Sequence, residues 1–138
     1  MKRLTIILFL FVHDTSYSQN FNYYDIDGDI RCAFIDSSED SLYLAGSFYK
    51  IDGVKYCKVA KWQNNHWDSL SIGIDYHPII LNYGNPIYAM TKYENKILVG
   101  GSFQKAGTSN SHYLASWDGT TWESFQDLPN GSVQDLQV

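Results

Sequence analysis

Leu44-Ala45-Gly46-Ser47-Phe48 returns as Val99-Gly100-Gly101-Ser102-Phe103, Trp62 returns as Trp117 and Trp67 returns as Trp122, each at an offset of 55 positions. A fixed period of that size is the signature of a repeat array, in which one unit cannot bury its apolar face alone and stacks on a neighbour. The repeat speaks to architecture and not to activity.

Each unit parses into four short strands. In the second unit these are Ile87 to Tyr93, Lys96 to Phe103, His112 to Trp117 and Thr121 to Phe125, with Glu94-Asn95 and Asp118-Gly119 as turns and Gln104 to Ser111 as a polar loop. Asp-Gly between apolar runs is a strong hairpin signal, because both residues tolerate the positive φ of primed turns. In the first unit the strands are Ile30 to Ile35, Ser41 to Phe48, Cys57 to Gln63 and His66 to Leu70, with Asn64-Asn65 in the last turn. The loop Gly73 to Pro86 separates the units and is the main departure from strict repetition. Phe21 to Ile30 resembles Trp122 to Val133, so the chain opens on a fourth strand, and Val133 to Val138 matches the start of a first strand. With strands labelled A to D the order is D-ABCD-ABCD-A.

The chain has 138 residues, of which 44% are hydrophobic and 16% aromatic, with 11 Tyr and 4 Trp. This is the composition of a globular, strand-rich protein. A formal charge of −5 and no Lys/Arg cluster beyond Lys2-Arg3 speak against nucleic acid and anionic membrane surfaces as partners.

Lys2-Arg3, the apolar run Leu4 to Val12 and the small residues of Ser16-Tyr17-Ser18 read as an export signal, residues 1–18, cleaved before Gln19. The run is far shorter than the roughly 20 residues needed to span a bilayer, so no membrane insertion is expected after cleavage. The expected location is secreted or in the cell envelope. Cys32 and Cys57 then sit in an oxidising compartment. On a first and a third strand they would lie about 9–10 Å apart across the intervening strand, beyond disulfide reach, so two semi-buried thiols are expected.

Gly101-Ser102-Phe103, a Gly-containing loop, and Ala115-Ser116-Trp117-Asp118-Gly119-Thr120-Thr121-Trp122 together resemble the kelch-like β-propeller repeats of secreted bacterial proteins, of the Bacteroidetes type. In the first copy Ala45-Gly46 replaces the Gly doublet and Asn64-Asn65 replaces Asp-Gly. The resemblance implies an all-β, antiparallel propeller fragment of two four-stranded blades: residues 19–138, with blade 1 about 30–72, an inserted loop 73–86, blade 2 about 87–128 and the start of a third blade at 133–138. It implies no reaction, because propellers host many functions. Two blades leave open faces, to be covered by further blades or by self-association.

The four tryptophans recur once per unit and so read as packing residues, since a ligand site breaks a repeat. Gly46, Gly100 and Gly101 are followed by no Lys-Ser/Thr and no helix, so close backbone approach explains them better than a phosphate loop. Asp25-Ile26-Asp27-Gly28-Asp29 resembles part of a calcium loop, but an EF-hand register would put Tyr23 and Phe34 at ligand positions. His66, His77 and His112 are scattered, without metal-ligand spacing. No catalytic residue, cofactor or metal is therefore assigned.

The best candidate for ligand contact is the non-repeating loop, through Tyr76, His77, Asn82 and Tyr83, because binding sites concentrate on loops carried by a rigid scaffold. The expected function is a non-catalytic binding or scaffold module that recognises a protein or a glycan. A fragment of a secreted carbohydrate-active propeller enzyme, with catalytic residues outside this chain, and a truncated product without independent function are the alternatives.

Overall fold

The computed structural model describes residues 4–5, 23–77, 79 and 83–138. The leader assigned to residues 1–18 thus lies, except for Leu4 and Thr5, outside the described residues, as do Gln19 and Asn82. No helix occurs among the described residues, and the fold is all-β and antiparallel.

In chain order the strands are β1 (Leu4–Thr5), β2 (Tyr23–Tyr24), β3 (Ile30–Asp36), β4 (Ser41–Gly46), β5 (Lys50–Ile51), β6 (Val54–Lys55), β7 (Val59–Gln63), β8 (His66–Ser69), β9 (Ile87–Tyr93), β10 (Lys96–Gly101), β11 (Leu114–Trp117) and β12 (Trp122–Ser124). The first repeat is a four-stranded sheet of order β3-β4-β7-β8, and the second is a four-stranded sheet of order β9-β10-β11-β12. Both are meanders in which consecutive strands pair. β5 and β6 form a hairpin in the loop between β4 and β7, and β1 pairs with β2, Leu4 opposite Tyr24.

β4 is buried along its whole length because it has a core on each side. Leu42 and Leu44 point into one cluster with Phe48, Ile51, Ala60, Trp62 and Ile26. Tyr43 and Ala45, on the alternate face, join a second cluster with Val59, Leu70, Ile74, Ile87, Ile97, Val99, Trp117 and Trp122. Period-two alternation thus places one set of side chains between the two sheets and the other on the far face of the first sheet. The repeat keeps this phase: Ile97, Val99, Ala115 and Trp117 stand 55 positions after Leu42, Leu44, Ala60 and Trp62.

The tryptophans pack as their periodicity predicts. Trp62 lies directly opposite Trp67 and Trp117 opposite Trp122, with ring centroids 5.2 and 5.3 Å apart. Such pairs add about 0.5–1.5 kcal/mol beyond the area they bury. Gly46 and Gly101 end the second strand of each sheet, opposite the point where the chain enters the first. A Cβ there would lie 2.1 Å from Asp29 O and 2.3 Å from Pro86 O, which explains the glycines by close backbone approach.

Several sequence expectations are corrected. The third strands begin at Val59 and Leu114 rather than Cys57 and His112, because Cys57, Lys58 and Tyr113 take left-handed backbone (φ 53, 74 and 70) that cannot continue a ladder. Asn64-Asn65 is the turn with both φ positive, whereas at Asp118-Gly119 only the glycine is left-handed. There the Asp118 carboxylate instead accepts the Thr120 and Thr121 N–H groups, each at 2.7 Å. Residues 133–138 form no strand: Val133 N–H donates to Gly101 O at 3.1 Å, but the described residues include no following strand to complete a hairpin with it. Cys32 and Cys57 are free thiols, as expected.

Candidate functional site

The loop between the sheets begins as a repeat and then departs from it. Asp27 N–H donates to Lys50 O and Asp52 N–H to Asp25 O; in the same way Asp75 N–H donates to Lys105 O and Gly107 N–H to Gly73 O. Ile26 bridges Ile51 as Ile74 bridges Ala106. Each segment entering a sheet is thus strapped along that sheet's own loop between its second and third strands. Asp27 and Asp75 serve the same purpose in both copies. Asp27 Oδ1 accepts the Tyr49 and Lys50 N–H groups at 2.7 and 2.8 Å, and Asp75 Oδ1 accepts those of Gln104 and Lys105 at 3.0 and 2.8 Å.

The offset between copies is 48 residues at Asp27/Asp75 and 57 at Ile30/Ile87, so nine residues are inserted after Asp75. The insertion is therefore 76–84. Gly73, Ile74 and Asp75, placed in the loop on sequence grounds, belong to the repeat.

The insertion folds back on the first sheet. The buried Tyr49 hydroxyl accepts the His77 N–H at 3.0 Å and lies 3.2 Å from His77 O, to which it donates. Tyr83 donates its hydroxyl to Asp27 Oδ2 at 3.0 Å, and its ring meets that of Tyr49 edge-on with centroids 6.2 Å apart. Burial and the bonded Asp27 carboxylate both push the Tyr83 phenol above its usual pKa. Lys58, fully buried, ends against Asp75 Oδ2 at 3.4 Å, Gly84 O at 2.6 Å and Asn85 O at 3.2 Å.

Of the residues singled out by sequence, Tyr76, His77 and Tyr83 are exposed on this insertion, the two tyrosines each at 41%, and Asn82 lies outside the described residues. Ile79, not singled out, is the most exposed large apolar side chain among the described residues, at 85%. The loop thus offers the Tyr76 phenol, part of the Tyr83 ring, an imidazole and an aliphatic side chain to solvent from anchored backbone, a surface suited to stacking and hydrogen bonding rather than to proton transfer.

His66 and His112 do not approach this loop by any hydrogen bond among the described residues, and no group of three His, Cys, Asp or Glu side chains among them is arranged to hold a metal ion. Asp27, the centre of the calcium-like sequence, spends one oxygen on backbone N–H groups and the other on Tyr83. No helix among the described residues is long and apolar enough to cross a membrane. No family model, no curated protein and no solved structure matches this chain.

Proposed function

We propose that the chain is a non-catalytic binding or scaffold module of a secreted β-propeller, whose two sheets are consecutive blades and whose 76–84 insertion is the recognition element for a protein or glycan. The observation that carries this reading is the insertion itself. It interrupts an otherwise regular repeat, is tied to the scaffold at His77, Tyr83 and Gly84, and still leaves Tyr76, Ile79 and part of Tyr83 exposed. Anchored backbone with exposed aromatic side chains limits the ordering cost of binding.

A second observation supports the propeller reading. Trp122 Nε1 donates to Leu70 O of the preceding sheet at 2.9 Å, whereas its counterpart Trp67 Nε1 is buried with no hydrogen-bond partner among the described residues. Tyr24 stands edge-on to Trp62 and Trp67 where a preceding blade would pack. A further blade on that face, with β2 as its outermost strand, covers the apolar cluster behind β4.

The test is binding of the secreted protein to arrayed glycans and to intact envelope proteins, with and without the insertion. The reading expects a ligand whose affinity falls at least about tenfold in Tyr76→Ala/Ile79→Ala with an unchanged melting profile. A ligand bound equally well by that variant would overturn the assignment of the loop.

A further inference from the structure

We propose that Lys58 is the positioning residue of the insertion: its buried ammonium joins the outgoing foot of the loop, Asp75, to the returning foot, Gly84 and Asn85. The significance of this clamp for binding rests on the recognition role given to the loop above; the clamp itself does not.

The two repeats supply an internal comparison. Position 58 corresponds to Tyr113, and the two backbones do the same work. Lys58 N–H donates to Phe48 O at 2.9 Å and Tyr113 N–H to Phe103 O at 3.0 Å, while Lys58 O accepts the Gly46 N–H at 3.0 Å and Tyr113 O the Gly101 N–H at 2.9 Å. Both residues are left-handed, at φ 74 and 70. The scaffold thus requires this backbone conformation and not a lysine, since an aromatic residue fills the second copy.

The lysine coincides instead with the insertion. Enclosing an ammonium costs several kcal/mol unless its donors are matched, and a lysine has three. Those three meet three oxygens, of Asp75, Gly84 and Asn85, and two of the three belong to the returning foot. Burial pulls the amine below its ordinary lysine pKa and the Asp75 carboxylate opposes that pull. Asp75 and Asn85, at the two feet, both take left-handed backbone (φ 48 and 55), so the feet adopt a conformation that needs holding.

The experiment is a double-mutant cycle on the full chain between Lys58→Tyr, the residue type of the second repeat, and deletion of 76–84. Deletion leaves Asp75-Asn85-Pro86-Ile87 with the length of Asp27-Gly28-Asp29-Ile30. Because a Cβ at Gly28 would lie 2.7 Å from Phe48 Cα, the deletion also carries Asn85→Gly. With the loop present, Lys58→Tyr is expected to speed amide exchange at His77 and Ile79 by about tenfold or more, and by more than at β4 and β10. It lowers the thermal midpoint there and raises it once the loop is gone. Equal shifts of the midpoint in both backgrounds, or unaltered exchange at His77 and Ile79, would overturn the proposal. Neither readout involves a ligand, so failure of the clamp and failure of the recognition role are separately visible.

Discussion

Trp122 hands its indole N–H to the carbonyl of Leu70 across the boundary between the two sheets, at 2.9 Å and shielded from solvent. That bond ties the residue just after the last strand of one repeat to the last strand of the next. The matching indole nitrogen of the half-buried Trp67 is shielded, with nothing to donate to among the described residues.

The two tryptophans should therefore respond differently to the same change. Trp122→Phe keeps an aromatic ring and removes a satisfied donor, which costs about 1–2 kcal/mol by denaturant unfolding. Trp67→Phe removes an unsatisfied donor and should be neutral or slightly stabilising in this chain. Equal losses for the two variants would show that Trp67 has a partner after all.

The glycines divide the same way. Gly101→Ala drives a Cβ to 2.3 Å from Pro86 O, and since the obstacle is backbone the loss should be about 2–4 kcal/mol. Gly53→Ala meets nothing within 4 Å and carries only the strain of φ 79, about 1–2 kcal/mol. A chemical melt of each variant checks the order; Gly53→Ala as the more damaging change would contradict the close-approach account.

Much of this was legible in the sequence, because the period fixes which residues pair. The 55-residue offset located Trp62/Trp67 and Trp117/Trp122 on facing strands, and Gly46 and Gly101 at matching points of contact. What stayed hidden depends on backbone conformation and on long-range partners. The left-handed φ at Cys57, Lys58 and Tyr113, which shortens both third strands, has no signal in residue types that rarely adopt it. Lys58 lies between Cys57 and Val59 in no motif that marks it, and its partners lie 17 to 27 positions away. One signal was available: in an otherwise matched repeat, the unit followed by the insertion has a lysine where the other has a tyrosine.

Acid should loosen the junction between the sheets. Asp36 on β3, 4% exposed, accepts bonds from Lys92 on β9 and from Ser38. Burial raises its pKa, but the bonds from Lys92 and Ser38 outweigh burial and hold it below the ordinary 3.8. A folded value below the unfolded one means that the stabilisation is complete above the ordinary aspartate range and is lost as pH falls through the folded value. Lys92 has the opposite sign: its bond to Asp36 raises it above 10.5, so its contribution is lost only as pH rises through that higher value. Thermal midpoints below about pH 4 should drop for the natural sequence and drop less for Asp36→Asn. Parallel curves would remove Asp36 from the account.

The thiols should be inert in the folded state. Burial pushes Cys32 up to about 11 and raises Cys57 above its ordinary value as well. Iodoacetamide at pH 8 should label neither cysteine until denaturant is added, and both thereafter, since reactivity follows the thiolate. Rapid labelling of Cys57 under native conditions would show that the strap formed by Ile74 and Asp75 opens.

The propeller reading is tested most directly by the intact mass and oligomeric state of the mature protein from its native source, by mass spectrometry coupled to light scattering. The account predicts a mass well above that of residues 19–138, with further blades supplying the strands that take the place of β1 beside β2. A monodisperse monomer of residues 19–138 alone, melting in one sharp cooperative transition, would contradict it.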